Sequence, residues 1–423
     1  MDTDTQNLRG EWKYFAFAAA ITIPALLFRF DAVHGAIPVE TLLFGVAILG
    51  AAFLLSWAAE VAQLDISQAL AIAFLAFIAV LPEYAVDLVF AWKAGRQDRL
   101  IHGFEGILHK GQPLVCGDIP CRELAIANMT GANRLLIGLG WAVVVLIWWK
   151  KSGERSVVLG EERRTELGFL ILATLWAFTI PLRQSLSMID LVVLGGLFIG
   201  YLWHAATAES EEPDLVGPPL ALAALQPSRR RGATLVMFLF AAGVILASAE
   251  PFADGLVHTG SQLGVNKFLL VQWLAPLASE APEMIIAILF VLRMKPGAGL
   301  GTLVSSKVNQ WTLLVATIPL VYAFARGGIH SMTLDNRQVE EVLLTAAQSA
   351  FAVATLSNMR ISRGEAAGLM ALFIAQFGFE STAVRYGFSG LYILLFLILG
   401  LARAESRRGM AASVRAALSR PRR

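Results

Sequence analysis

Two stretches of the sequence decide its fold. Residues 64–90 read LDISQALAIAFLAFIAVLPEYAVDLVF, and residues 263–290 read LGVNKFLLVQWLAPLASEAPEMIIAILF. Each has a polar start, then a long apolar run, and then a Pro-Glu pair inside that run, at 82–83 and at 282–283. Such runs are typical of helices that cross a membrane, which need about 20 apolar residues. The likeness of the two stretches indicates an internal repeat.

The composition supports a membrane protein. Of the 423 residues, 57% are hydrophobic and only 16% are charged, whereas charged residues make up about 25% of an ordinary soluble domain. We predict twelve spanning helices, because only helices satisfy the backbone hydrogen bonds of such segments within lipid. Their approximate bounds are 14–30, 39–60, 68–94, 123–149, 165–182, 187–205, 233–257, 268–293, 298–325, 340–358, 364–380 and 384–402.

The basic residues predict the orientation. With the N-terminus in the cytoplasm, the arginines at 229–231 and the Arg-rich tail at 403–423 also lie there, as the positive-inside rule requires. We therefore predict a multi-pass protein of the cell membrane (inner or plasma membrane) with both termini in the cytoplasm. Cys116 and Cys121 then fall in an outer loop, where a disulfide is favoured. Their spacing alone also fits a metal site or two unpaired thiols.

The repeats divide the chain into halves that match helix for helix, five and five. Because five is odd, the second half enters the membrane in the opposite direction, and such inverted repeats place their site near the bilayer midplane on broken helices. We predict an all-α integral membrane fold: an inverted-repeat bundle of 5+5 core helices with broken Pro-Glu helices, plus one extra helix at each end. The divisions are the cytoplasmic N-terminus with an extra helix (1–38), the first half (39–205), a cytoplasmic linker (206–232), the second half (233–380), and an extra helix with a basic cytoplasmic tail (381–423).

Glu83 and Glu283 are candidate cation ligands. A charge at the bilayer centre costs about 2.5–3.5 kcal/mol on insertion scales, and a cation, a proton or a basic partner compensates it. A proline leaves a carbonyl one turn earlier without its hydrogen bond, and hard cations prefer carboxylate and carbonyl oxygens. We expect the two glutamates to face one another where their helices cross. The alternative is that the prolines only kink the helices and that the glutamates pair with arginine or lysine.

Other oxygens accompany these glutamates. Asp87 lies one turn after Glu83, and Glu280 lies one turn before Glu283. Either acid is a further ligand, a proton carrier or a water-facing vestibule group. The helix after each Pro-Glu helix supplies neutral oxygens, and Gly131, Gly299 and Gly301 there allow close approach. Packing through small residues is the alternative. The candidate ligands on these helices are Asn128, Asn133, Thr302, Ser306, Asn309 and Gln310.

Two basic residues lie within the same helices. Lys307 and Arg134 each carry a charge that can take the place of a monovalent ion beside a carboxylate, or form a structural ion pair. We expect Lys307 to lie within salt-bridge or water-bridged reach of Glu280 or Glu283.

The known motifs of hydrolases, proteases and nucleotide-binding proteins do not occur in the sequence, so an enzyme has no support. The net charge of +2 argues against a nucleic-acid partner. The expected partners are inorganic cations and the lipid bilayer, and no obligate protein partner is inferred.

The paired motifs resemble those of the sodium/calcium exchanger family, within the calcium/cation antiporter superfamily. LPEYAVDLVF and SEAPEMIIAILF resemble that family's G-T-S-x-P-E helices, and SSKVNQ resembles the G-S-N-x-x-N/D start of the helix that follows. The resemblance covers roughly residues 39–380. It implies an antiporter that exchanges Ca²⁺ or a similar cation for Na⁺ or H⁺ by alternating access. No cofactor is implied beyond these transported ions.

The resemblance also implies roles for individual residues. Ligands of the family correspond to Glu83, Glu283, Ser306, Gln310 and, in the first repeat, Asn133. Ser279 is the hydroxyl that remains before the second Pro-Glu pair, whereas Ala79 and Val80 stand before the first, and Lys307 replaces a small amide. These departures favour proton coupling or a monovalent substrate over coupling to several Na⁺ ions. The alternatives are Na⁺/H⁺ exchange and a transport-inactive binding or sensing protein with the exchanger fold.

Overall fold

Helices make up almost all of the fold. The computed structural model describes residues 3–30, 33, 35–65, 81–103, 116, 120–207, 215–264, 266–377, 379 and 381–420. The helices before residue 208 are α1 (Thr3–Ala20), α2 (Ile23–Arg29), α3 (Ile37–Ala62), α4 (Leu81–Gly103), α5 (Cys121–Leu135), α6 (Ala142–Ser152), α7 (Arg164–Ala177), α8 (Thr179–Arg183) and α9 (Met188–Thr207). Those after residue 214 are α10 (Pro219–Ala223), α11 (Pro227–Leu263), α12 (Lys267–Leu292), α13 (Pro296–Asn309), α14 (Val315–Arg326), α15 (Asn336–Leu356), α16 (Arg363–Phe377), α17 (Thr382–Phe396) and α18 (Ala404–Leu418).

Shorter elements connect these helices. π-Helical segments occupy Leu136–Trp141, Gln310–Leu314 and Leu397–Leu401, and a 3-10 turn occupies Glu161–Arg163. The strands are β1 (Ser156–Val158), β2 (Ser185–Leu186), β3 (Met332–Thr333) and β4 (Arg360–Ser362).

Ten helical stretches within the described residues are long and apolar enough to cross a membrane. They are Gly10–Arg29, Ile37–Ala62, Cys121–Ser152, Glu161–Arg183, Met188–Thr207, Pro227–Leu263, Lys267–Leu292, Pro296–Arg326, Asn336–Leu356 and Thr382–Leu401. The two other predicted spans correspond to α4, which begins directly after the undescribed residues 66–80, and to α16, which has 15 residues. The chain is therefore an all-α, multi-pass membrane protein.

The second Pro-Glu helix runs through its prolines. α12 is continuous from Lys267 to Leu292, with Pro276 and Pro282 inside it. Proline removes one backbone hydrogen bond, but neighbouring helices and local adjustments compensate the freed carbonyl without ending the helix. Departures from α-geometry occur instead in the next helix of each half, at 136–141 and 310–314. Such π-helical segments are frequent at functional sites.

Two glycines let the central helices touch. A Cβ atom at Gly131 would lie 1.8 Å from the carbonyl oxygen of Gln272, so only glycine allows α5 to approach α12 this closely. A Cβ at Gly299 would lie 2.5 Å from the carbonyl oxygen of Ala287, on the contact between α13 and α12. The predicted role of both glycines in close packing is confirmed.

Antiparallel strand pairs join distant connections. β1 pairs with β4, with Ser156 opposite Ser362, and β2 pairs with β3, with Ser185 opposite Thr333. The loop after α6 therefore lies beside the loop after α15, and the loop after α8 lies beside the loop after α14. Each pair joins the first half of the chain to the second.

An ion pair ties the end of α3 to the start of α11. Asp65 accepts hydrogen bonds from Arg230 at 2.7 and 2.8 Å and from Arg231 at 3.0 Å. These contacts, that of Arg230 above all, lower the pKa of Asp65 to about 2. The pair therefore stays ionised throughout the neutral range. Its contribution to the stability of the fold is lost only in strong acid, as the pH falls towards that pKa.

The predicted pairing of the two cysteines is confirmed. Cys116 and Cys121 form a disulfide whose Cα atoms are 5.3 Å apart. Cys121 is the first residue of α5, and its backbone N–H donates to Gln97 of α4 at 2.9 Å. The disulfide thus closes the loop before α5 at a point that is also held to α4. Its position outside the cell remains a prediction.

Candidate cation-binding site

Three glutamates meet in the interior of the bundle. Glu83 lies in the first turn of α4, and Glu280 and Glu283 lie one turn apart on α12. All three side chains are buried, and one carboxylate oxygen of each lies within 4.8 Å of the others. The two Pro-Glu helices therefore bring Glu83 and Glu283 together, which is the arrangement expected from the repeat.

This cluster requires positive charge or protons. Two unit charges 4 Å apart repel by about 4 kcal/mol at an effective dielectric constant near 20. Carboxylates this close cannot all stay ionised without compensation. Among the described residues, no arginine or lysine forms a salt bridge with any of the three. The alternative of glutamates paired with basic residues therefore does not describe this cluster.

Several oxygens of the cluster have no hydrogen-bond partner within the part of the chain that the structure describes. They are both carboxylate oxygens of Glu83 and one each of Glu280 and Glu283. Leaving a buried polar group unpaired costs about 1–3 kcal/mol, and more when it is charged. A cation that takes oxygen ligands, or protons, would satisfy these atoms.

Amide side chains support the acids in both repeats. Asn128 of α5 donates from Nδ2 to Asp87 of α4 at 2.8 Å, and Gln310 donates from Nε2 to Glu280 of α12. In each repeat, an amide on the following helix thus holds an acid on the Pro-Glu helix. The donated hydrogen bonds fix the acids but do not neutralise them. The carbonyl oxygens of both amides, like that of Asn309, have no partner among the described residues.

The predicted hydroxyl ligands lie on α12 and α13. The Ser279 hydroxyl donates to the backbone carbonyl of Ala275 at 3.3 Å, and that of Thr302 donates to Ala298 at 3.1 Å. A hydroxyl that donates to its own helix keeps its lone pairs available. Ser279 and Ser306 are buried, whereas Thr302 is partly exposed. Ala79 and Val80, which precede the first Pro-Glu pair, lie outside the described residues.

Lys307 has a different partner from the one expected. Its ammonium donates to the side-chain oxygen of Asn133 at 2.6 Å and lies 4.2 Å from the ring centroid of Trp311. Among the described residues it makes no direct ion pair with Glu280 or Glu283, and Gln310, one turn further along, donates to Glu280. A charge-assisted hydrogen bond and an aromatic face stabilise the buried ammonium instead. A water-bridged contact between Lys307 and either glutamate stays a prediction.

Arg134 belongs to a second buried network. Its guanidinium donates to Glu341 of α15 at 2.6 Å and lies 5.0 Å from the ring centroid of Trp273. Glu341 also accepts from Gln272 at 2.8 Å and pairs with Arg385 of α17 at 3.0 Å. Of the two roles considered for Arg134, this geometry is that of a structural ion pair.

The partners in this network are not predicted from the sequence. Glu340 and Glu341 lie at the edge of an apolar segment, where acids are usually exposed, yet both are buried, and Arg385 pairs with Glu340 at 2.9 Å. The available signal was the arginine at 385, one turn inside an otherwise apolar span. A charge in that position needs a buried partner.

A bundle of membrane-spanning helices around a cluster of uncompensated buried carboxylates defines a membrane protein that binds and transports cations. The chain belongs to the sodium/calcium exchanger protein family, whose sequence profile matches residues 38–207 and 233–380. This confirms the predicted family, and the matched residues agree with the predicted extent of the resemblance. No curated protein sequence matches the chain.

Solved structures agree with this assignment. The H⁺/Ca²⁺ exchanger CAX is 43% identical, with a TM-score of 0.87, over 97% of this chain and 98% of that chain. Native YfkE is 16% identical, with a TM-score of 0.57, over 86% and 98% of the two chains. The sodium-calcium exchanger NCX_Mj is 18% identical, with a TM-score of 0.53, over 82% and 99%. The last two show the common fold alone. The family match and the 43% identity to CAX make the chain an antiporter of the Ca²⁺/cation type.

We predict that neutralising any of the three glutamates weakens Ca²⁺ binding to the purified protein. Glu83→Gln, Glu280→Gln and Glu283→Gln should each raise the Kd by about tenfold or more, or about 1.4 kcal/mol, because each removes a charged ligand. Isothermal titration calorimetry measures this directly. Glu250→Gln, an exposed acid on α11, is the matched control. Wild-type affinity in both Glu83→Gln and Glu283→Gln would exclude this cluster as the binding site.

A separate prediction concerns the second network. Glu341→Gln should destabilise the protein by about 3–5 kcal/mol, because it leaves Arg134 buried without its counter-charge. The unfolding temperature in detergent reports this change. Glu161→Gln is the matched control, since Glu161 pairs with Arg164 but is 75% exposed, and exposed pairs contribute about 0–1 kcal/mol. Equal unfolding temperatures for the two variants would show that the buried pair adds nothing.

Proposed function

We propose that this protein exchanges Ca²⁺ for H⁺ across a cell membrane, with Glu83, Glu280 and Glu283 as the common binding site. The observation that carries this proposal is the cluster of buried carboxylates whose oxygens lack partners among the described residues. The 43% identity to an H⁺/Ca²⁺ exchanger supports H⁺ as the counter-ion.

The ligand set suits Ca²⁺. This ion takes about 6–8 oxygen ligands and tolerates irregular geometry. Three carboxylates would supply the charge. The carbonyl oxygens of Asn128, Asn309 and Gln310, which have no partner among the described residues, would be neutral ligands on the following helices. No thiol or imidazole takes part in the described cluster, and oxygen-only sites favour hard cations over transition metals.

The same atoms account for the exchange. A carboxylate oxygen can hold a metal ion or a proton but not both, so the two substrates compete for one site. The empty, ionised cluster is unfavourable because each close pair of charges repels by about 4 kcal/mol. We propose that the protein switches between facing one side of the membrane and facing the other only when bound Ca²⁺ or bound protons offset the negative charge of the cluster. Because Ca²⁺ and H⁺ would compete for one site and the empty site would not switch sides, movement of one ion would be coupled to opposite movement of the other.

The transport-inactive alternative has less support. It required Lys307 to be paired permanently with Glu83 or Glu283, which would neutralise the site from within. The ammonium instead donates to Asn133. The carboxylates are therefore left available for an ion from solution.

The proposed orientation places both termini in the cytoplasm, with residues 206–232 as a cytoplasmic linker between the two halves. Two contacts support it: β1 lies beside β4, and Asp65 pairs with Arg230. Each joins segments that the positive-inside rule assigns to the cytoplasm. β2 and β3, which lie side by side, both belong to segments assigned to the outside.

Flux through reconstituted protein tests the proposed exchange. In proteoliposomes, an outward proton gradient should drive uptake of radioactive Ca²⁺, and collapsing that gradient with a protonophore under voltage clamp by K⁺ and valinomycin should stop it. Glu283→Gln liposomes serve as the control and should show no gradient-driven uptake. Ca²⁺ uptake that ignores the proton gradient would rule out H⁺ as the counter-ion.

Accessibility of introduced cysteines tests the proposed orientation. Ser156→Cys in β1 and Ser331→Cys beside β3 should lie on opposite sides of the membrane, and the native disulfide leaves no other thiol. In intact cells, a membrane-impermeant maleimide should label Ser331→Cys, whereas Ser156→Cys should react only after the cells are opened. The reverse pattern would invert the assignment, and labelling of both from one side would contradict the fold.

A further inference from the structure

Lys307 fills a small cation-binding position formed by the protein itself. Its ammonium donates to the side-chain oxygen of Asn133 at 2.6 Å, with the backbone carbonyl oxygen of the same residue at 3.4 Å. The face of Trp311 closes the other side, 4.2 Å from the nitrogen to the ring centroid. Lys307 is completely buried. Neutral oxygens and an aromatic face are the groups that stabilise a monovalent cation.

This position is separate from the carboxylates but belongs to the same helix surface. Lys307 and Gln310 are three residues apart, so they lie on one side of the helix. Gln310 donates to Glu280, whereas Lys307 donates to Asn133 across the contact between α13 and α5. This helix face therefore lies beside two neighbouring sets of groups: the glutamates, which have oxygens without partners among the described residues, and a neutral position, formed by Asn133 and Trp311, that holds the tethered ammonium.

We infer that Lys307 is a specificity-determining residue that excludes monovalent metal ions, Na⁺ above all, from the transport cycle. Because the ammonium is covalently attached, it remains in place at any Na⁺ concentration. An ion from solution can then bind only among the carboxylates, where a divalent cation gains most from the charge. This inference rests on the proposed cation transport by the glutamate cluster, but not on H⁺ as the counter-ion.

Binding to the wild-type protein provides the first test. Na⁺ should not compete with Ca²⁺: the Kd for Ca²⁺ should be the same in NaCl and in choline chloride at equal ionic strength, which removes general screening from the comparison. A Kd that rises several-fold only in NaCl would overturn the inference without any variant.

Substitution provides the second test. Lys307→Asn removes the charge and leaves an amide oxygen, so the neutral position beside Asn133 and Trp311 should become open to Na⁺. In proteoliposomes, Na⁺ should then change the Ca²⁺ flux by about tenfold, the effect of about 1.4 kcal/mol, and an Na⁺ gradient should drive Ca²⁺ movement. Lys307→Arg keeps the charge and should remain insensitive to Na⁺. Lys151→Asn, a surface change on α6, is the matched control for losing a lysine.

The outcomes separate this inference from the proposed function. Ca²⁺-induced stabilisation against heat identifies the variants that are folded. Lys307→Gln, which is closer to lysine in length and keeps an N–H donor, replaces Lys307→Asn if the shorter side chain prevents folding. A folded, Ca²⁺-transporting variant that is still indifferent to Na⁺ overturns the inference and leaves the proposed function standing. Wild-type protein that moves no Ca²⁺ under a proton gradient overturns the proposed function, while the binding comparison in NaCl still decides the role of Lys307.

Discussion

Repulsion among three buried carboxylates shapes the centre of this bundle. Glu83, Glu280 and Glu283 place oxygens within 4.8 Å of one another where no described basic residue pairs with them. A protein that only needed to be stable would place apolar side chains or a complete ion pair there, since an uncompensated buried charge costs several kcal/mol. The arrangement is therefore explained by what binds to it, and the surrounding helices hold the acids in place without neutralising them.

Neighbouring residues on α5 illustrate two different solutions for buried charge. Asn133 points to Lys307 of α13, while the next residue, Arg134, points to Glu341 of α15. Consecutive side chains on a helix diverge by about 100°, so one turn can serve the transport site and the scaffold at once. In the scaffold, each guanidinium meets a carboxylate. In the site, the acids meet only amides, and that difference distinguishes binding chemistry from structural pairing.

The sequence predicted the elements with strong local signals. The repeated Pro-Glu segments indicated the family and the meeting of Glu83 with Glu283, and the predicted outer position of the loop that holds Cys116 and Cys121 favoured their disulfide. In contrast, the partner of Lys307 depends on how α13 crosses α5, and Asn133 is 174 residues away in the chain. The sequence suggested a carboxylate because charge complementarity was the only criterion available. In the structure the direct partner is instead the amide of Asn133, while Gln310 donates to Glu280.

The same packing bears on how an exchanger selects its ions. A tethered ammonium is a fixed positive charge that neither side of the membrane can exchange, and it pairs with Asn133 and not with the glutamates, so the charge that the glutamates need must come from solution. One divalent ion or several protons can supply this charge at the glutamates alone. Several monovalent metal ions would need additional oxygen positions, one of which Lys307 already fills. Under the proposed exchange, ion selectivity thus depends on the position that Lys307 occupies as much as on the carboxylate oxygens that remain free. A single side chain, held by one amide and one indole ring, would then determine which ion gradient the protein can use.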